Sequence, residues 1–154
     1  MMTEFRNTLI LLTIFFLAGC IINQNQQNEE NMISQLVPQM RSKTRTILKN
    51  VRRCYPQYEW YINSGRRTPG EQAELYKIGR RGIFGEKSKT DVKISKHEMG
   101  KAVDIYPRNE DVIEYDKAKD AYDYYGKLAK GLGLIWGGDW NVPKDYGHIE
   151  LNGK

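Results

Sequence analysis

The stretch SKHEMGKAVDIY, residues 95–106, decides how the rest of the chain is read. Its polar start turns at Gly100 and enters AVDIY, where an acidic side chain interrupts an apolar run. Strand periodicity puts Val103 and Ile105 on one face, and Ala102, Asp104 and Tyr106 on the other. A carboxylate in such core-like surroundings is costly unless it is paired, hydrogen-bonded or bound to a metal. His97 is one of only 2 histidines in the 154 residues. A glycine between it and Asp104 lets both side chains face one point.

The other histidine, His148, lies in DYGHIEL, residues 145–151, with Asp145 three positions before it. Pro143 and Gly147 argue against a helix here, so Asp145 sits on a loop entering a strand in which His148 and Glu150 share a face. His97, Asp104 and His148 would supply two nitrogens and one oxygen and leave a fourth tetrahedral position for water. That is the composition of a catalytic zinc site rather than a closed structural one. Cobalt or manganese would also suit these donors. Asp145 is then a spare carboxylate, able to accept a proton from the water. A carboxylate near a histidine is common by chance; here both histidines of the chain fall in such settings.

Around this centre the pattern predicts an α+β fold: a small antiparallel sheet with flanking helices. Ile33, Leu36, Val37, Met40, Ile47, Leu48 and Val51 recur at helical spacing, with Pro38 marking a helix start or a kink. Tyr58 to Ile62 reads as a strand with Trp60 and Ile62 on one face. Thr68-Pro69-Gly70-Glu71 opens a helix with a cap, a proline at the first position and a glutamate three after the cap; it runs to Gly79. Arg80 to Lys93 reads as a polar loop. Asp116 is expected to cap a helix burying Ala118, Ala121, Tyr122, Tyr125, Leu128 and Ala129. Leu134–Trp136 and Gly147–Leu151 read as the last strands.

The formal charge of +5 suits an anionic partner such as an acidic wall polymer or a membrane surface. The basic clusters lack the aromatic interleaving or finger spacing of a nucleic-acid module, so no nucleic acid is expected. Residues 1–19 read as a signal peptide, with a short apolar run from Leu9 to Leu17. Leu17-Ala18-Gly19-Cys20 has the form of a lipobox, in which Cys20 is lipidated; a retained anchor or an ordinary signal are the alternatives. Residues 20–31 read as a flexible tether and 32–154 as one domain. The expected place is outside the cytoplasm, lipid-anchored to the membrane facing the wall. Ile21 after the cysteine, rather than aspartate, favours the periplasmic side of the outer membrane in a Gram-negative host. With Cys20 lipidated, Cys54 has no disulfide partner and is expected as a small buried thiol.

Five ordered motifs carry a family resemblance. They are Ser64-Gly65-Arg66-Arg67-Thr68, Glu71-Gln72 with Leu75-Tyr76, Ser95-x-His97-x-x-Gly100-x-Ala102-Val103-Asp104, Trp136-Gly137-Gly138-Asp139-Trp140, and Asp145-x-x-His148. Together they resemble the signature of zinc-dependent L-alanyl-D-glutamate peptidases of the D-alanyl-D-alanine carboxypeptidase superfamily, with the Hedgehog/DD-peptidase fold. The resemblance implies one zinc ion on His97, Asp104 and His148, with Asp145 as general base. It also implies that Arg67 binds or polarises the substrate carbonyl, and that the substrates are peptidoglycan stem peptides. Gln72 and Trp140 are expected beside the substrate, although Trp136, Trp140 and Tyr146 fit a core position as well as a groove. A monomer is expected. The competing activities are D,D-carboxypeptidase cleavage of a terminal D-alanine, and wall binding without turnover.

Overall fold

The structure, a computed structural model, describes residues 23–77, 95–109, 111–112, 115–141 and 143–153. The leader, Cys20 and the expected loop from Arg80 to Lys93 lie outside the described residues. The chain divides into two units between Asn31 and Met32. In the first, residues 23–31 are helical rather than irregular and belong to helix α1. Gln and Glu are good helix formers, which their polarity conceals; Gln27 Nε2 also donates to Asn31 Oδ1 one turn on, at 3.2 Å. Among the described residues no helix is long and apolar enough to cross a membrane.

In the second unit α2 spans Pro38–Cys54, with Pro38 in its first turn, so the proline starts the helix and does not kink it. Met40, Thr44, Ile47, Leu48 and Val51 form its buried stripe. Strand β1 is Glu59–Ser64 and helix α3 is Pro69–Lys77. The capping box forms as read: Thr68 Oγ1 accepts from Glu71 N at 3.2 Å, and Glu71 Oε2 accepts from Thr68 N at 2.7 Å. Strands β2 (Ala102–Asn109) and β3 (Asp111–Val112) precede helix α4 (Lys119–Gly131). Strands β4 (Leu134–Trp136) and β5 (His148–Leu151) close the fold.

Asp116 does not cap α4. It lies in a short 3-10 turn, Tyr115–Lys117, and the cap position falls to Ala118 without a side-chain bond. Cys54 is not a core thiol either: it is exposed, at the last residue of α2, where its Sγ lies 3.3 Å from Tyr124 Oη.

The sheet order is β1-β2-β5-β4, with β3 on β2, and every pairing is antiparallel. Helices α2 and α4 pack on each other, α2 also on β1 and α4 on β4. Their apolar stripes meet Trp60, Ile62, Val103, Ile105 and Ile149 in one core. Each such large side chain contributes about 1.5–3 kcal/mol when fully buried. The face of β2 opposite Val103 and Ile105 is left for the polar site.

Candidate metal centre

Three residues lie in a row across the sheet: Ser64 of β1 pairs with Asp104 of β2, and Asp104 pairs with His148 of β5. A register shift between Ile62 and Ser64 makes this row possible. In a regular strand those two residues would share a face. The extra residue, Asn63, turns Ser64 towards Asp104, while Ile62 stays opposite Ile105 in the core. His97 comes from the turn before β2. That turn is held at Gly100, whose φ of +63° favours glycine and where a Cβ would stand 2.9 Å from the Gln35 carbonyl.

His97 Nε2 lies 3.2 Å from Asp104 Oδ1, His148 Nδ1 lies 2.9 Å from the same oxygen, and the two nitrogens are 3.3 Å apart. Two donors on a tetrahedral ion, each about 2.0–2.1 Å from it, stand about 3.3–3.4 Å apart. The triangle is therefore nearly the size a zinc ion requires. Among the described residues this is the one group of three whose ligand atoms lie within 4.8 Å of one another. All three side chains are buried.

Each ligand is fixed from behind. His97 Nδ1 donates to the Gly65 carbonyl at 2.7 Å, which leaves Nε2 for the centre. His148 Nε2 donates to Glu150 Oε2 at 3.2 Å, which leaves Nδ1. Such outer partners set the tautomer and the ring orientation of a metal-binding histidine. Glu150 is held in turn by Lys96, 3.6 Å away, whose Nζ also donates to the carbonyls of Leu151 and Gly153. Burial opposes charge on Asp104, but in the metal-free protein its close polar contacts with His148 and His97 outweigh it and hold the carboxyl well below the usual range. Burial likewise opposes charge on His148, yet its bonds to Asp104 and Glu150 push its pKa up to about 9.

Arg67 stands against the other oxygen of Asp104. Its Nη2 is 2.9 Å from Oδ2, its Nε donates to Ser64 Oγ at 2.9 Å, and its Nη1 donates to Gln72 Oε1 at 3.3 Å. Gln72, expected beside the substrate, is fully buried under this guanidinium. It therefore steadies Arg67 and lies out of reach of a bound molecule. Of the three candidate aromatics, Trp136 is buried in the core and Tyr146 stacks on Tyr115, 3.8 Å between ring centroids. Trp140 alone lies at the centre, its ring 4.9 Å from that of His148.

Asp145 Oδ1 accepts from Tyr106 Oη at 3.0 Å and from Gly147 N at 3.2 Å. Its backbone is locked to the next segment: Asp145 N donates to the Gly137 carbonyl at 3.1 Å, and the Asp145 carbonyl accepts from His148 N at 3.2 Å. A Cβ at Gly137 would stand 2.5 Å from that Asp145 carbonyl, so the glycine at 137 is what lets the acidic loop approach. The roles of Gly65, Lys96, Tyr106 and Glu150 were not read from the sequence. Strand periodicity could have found Tyr106 and Glu150, each two residues from a ligand on its own strand. A backbone acceptor such as Gly65 leaves no such trace.

Residues 88–151 match a protein family described as D-alanyl-D-alanine carboxypeptidase. The peptidoglycan L-alanyl-D-glutamate endopeptidase CwlK of Bacillus subtilis (strain 168) is 36% identical to this chain over 98 residues. The aligned stretch covers 58% of this chain and 59% of CwlK, so the chain spans less than two thirds of that relative. The L-Ala D-Glu endopeptidase ChiX of Serratia marcescens has a similar structure, with a TM-score of 0.57 and 24% identity over 80% of this chain and 85% of that one. The fold is thus like that of ChiX, and the segment that matches the family description carries His97, Asp104, Asp145 and His148.

Proposed function

We propose that the protein is a zinc-dependent peptidase that hydrolyses peptidoglycan stem peptides at the L-Ala–D-Glu bond. The observation that carries this reading is the buried triangle of His97 Nε2, Asp104 Oδ1 and His148 Nδ1 at tetrahedral spacing. The similarity to CwlK and ChiX, both named as L-Ala-D-Glu endopeptidases, supports the choice of bond. One zinc ion held by these three residues would supply a Lewis acid and a water acidified towards neutral pH. The remaining work falls to the chain's own groups. Asp145 takes a proton from the attacking water and returns it to the leaving amine. Arg67, beside the donor set, presents positive charge where the tetrahedral oxyanion develops; one such donor is typically worth roughly 3–4 kcal/mol. Trp140, partly buried beside His148, offers its ring for the substrate to lie against.

Purified peptidoglycan is the test substrate. The zinc-loaded protein is expected to release fragments beginning with D-glutamate, identified by mass spectrometry, and a chelator is expected to stop it. Release of free D-alanine would instead select the D,D-carboxypeptidase reading that the family description favours. Binding of peptidoglycan with no release under any metal would leave a wall-binding protein.

We also propose that the chain is exported and anchored by lipid on Cys20, on the support of Leu17-Ala18-Gly19-Cys20. Each buried methylene of an acyl chain adds about 0.8 kcal/mol, so several chains hold a protein stably on a membrane. Metabolic labelling with a fatty acid is expected to mark the wild type and not Cys20→Ser. An unlabelled wild type would leave an ordinary signal or anchor.

A further inference from the structure

The three donor residues are not equally fixed by the sheet. Asp104 and His148 face each other across the β2–β5 ladder, so its hydrogen bonds set their spacing. The ladder extends to Lys101, whose carbonyl accepts from Leu151 N at 2.9 Å. His97 lies beyond it, separated from Lys101 by Gly100 and its φ of +63°. Something outside the ladder must hold the His97 imidazole against β5.

The turn that carries His97 is closed on itself. Glu98 Oε1 accepts from Ser95 N at 2.8 Å, the Ser95 carbonyl from Glu98 N at 3.1 Å, and the His97 carbonyl from Gly100 N at 3.0 Å. Such a turn moves as a unit. On one side it is bonded to the β1–α3 connection, through His97 Nδ1 to the Gly65 carbonyl and through Arg67 N to the His97 carbonyl at 3.2 Å. On the other side the Lys96 side chain reaches β5. Its Nζ donates to the Leu151 carbonyl at 2.9 Å and to the Gly153 carbonyl, and lies 3.6 Å from Glu150 Oε1. An ammonium has three N–H groups, and here three oxygens of one strand end meet it. The other oxygen of Glu150 accepts from His148 Nε2 at 3.2 Å. One ammonium thus joins the residue next to one imidazole to the carboxylate behind the other.

We infer that Lys96 is a positioning residue for the metal centre, a tie that holds the two imidazoles at ligand spacing in the metal-free protein. The inference rests on the zinc site of the peptidase reading and is independent of which bond is cut. Lys96 fills the unspecified position of Ser95-x-His97, so the tie belongs to this chain and not to the motif. A donor set already in place loses less freedom when an ion binds, so metal affinity is the quantity the tie raises.

The test measures zinc affinity of the full-length protein by competition with a chromophoric chelator, together with Tm of the metal-free form. Lys96→Met keeps an unbranched stem and removes the donors; it is expected to bind zinc about 10–100-fold more weakly. In Lys96→Arg the charge stays, but a planar fork does not serve three oxygens around one nitrogen, so the loss should be intermediate. Glu150→Gln should weaken zinc as well, and the double variant with Lys96→Met should lose less than the product of the two single losses, because both act through one contact. The tetrahedral absorption bands of the cobalt-loaded protein should shift in Lys96→Met. Wild-type zinc affinity and unchanged cobalt bands in Lys96→Met overturn the tie, whatever its Tm, and so do single losses that multiply in full. Should Lys96→Met not fold, wild-type affinity in Lys96→Arg overturns it. A wild type that binds no zinc overturns site and tie together. None of these measurements uses hydrolysis, so a failure of the peptidase reading shows separately.

Discussion

Alanine at His97, at Asp104 or at His148 is expected to remove bound zinc and hydrolysis together. The three donor atoms form a closed triangle, and no further carboxylate, thiol or imidazole joins it among the described residues. A lost donor therefore has no replacement, and zinc affinity should fall by more than the roughly 10–100-fold that changes to outer partners cost. Asp104→Ala carries a second penalty, because it leaves the partly buried Arg67 guanidinium without its carboxylate. His148 also makes the binding dependent on pH. In the metal-free protein its pKa is pushed up to about 9, against 6.5 for an ordinary histidine. The folded state thus holds that proton more tightly than the unfolded chain does. The resulting stabilisation is fully present below pH 6.5 and is lost as the pH rises through about 9. His148 must release the proton to become a ligand, so zinc affinity should rise over the same interval. Equilibrium dialysis and Tm, with and without zinc, check both trends. Stoichiometric zinc retained by any of the three variants would exclude the site as drawn.

The clustering of His97, Asp104 and His148 was legible because the signals that expose it are local. An aspartate inside AVDIY violates the alternation of its strand, and a chain with 2 histidines offers few other donors. Helix α3 was legible for the same reason: its capping box is closed within four residues. What escaped depends on distant parts of the chain. Nothing near Cys54 says that it falls on the exposed side of the last turn of α2. The irregularity at Asn63, which brings Ser64 into the row with Asp104 and His148, depends on how β1 registers with β2. Gln72 carries a motif position, yet only the fold shows that it lies beneath Arg67. The polar run before Met32, expected as a tether, is helical over residues 23–31, because Gln and Glu favour helix whatever their polarity.

Asp145→Asn should keep the metal and the fold but lower hydrolysis by roughly 10²–10⁴-fold, the usual contribution of a general acid–base group. The expectation follows from how the two carboxylate oxygens are used. Oδ1 accepts from Tyr106 Oη and Gly147 N, and an asparagine carbonyl can take both bonds without moving the loop. Oδ2 has no hydrogen-bond partner among the described residues. It is the oxygen available to a water, and there asparagine offers an N–H that can donate but cannot take a proton. The loss should therefore appear in kcat, with zinc content and Tm close to wild type. Tyr106→Phe supplies the comparison: it removes one of the two bonds that aim Asp145 but keeps the base, so it should cost less than Asp145→Asn and leave zinc in place. Loss of zinc from Asp145→Asn would make Asp145 a ligand, and a kcat within a few-fold of wild type would move the proton to another group.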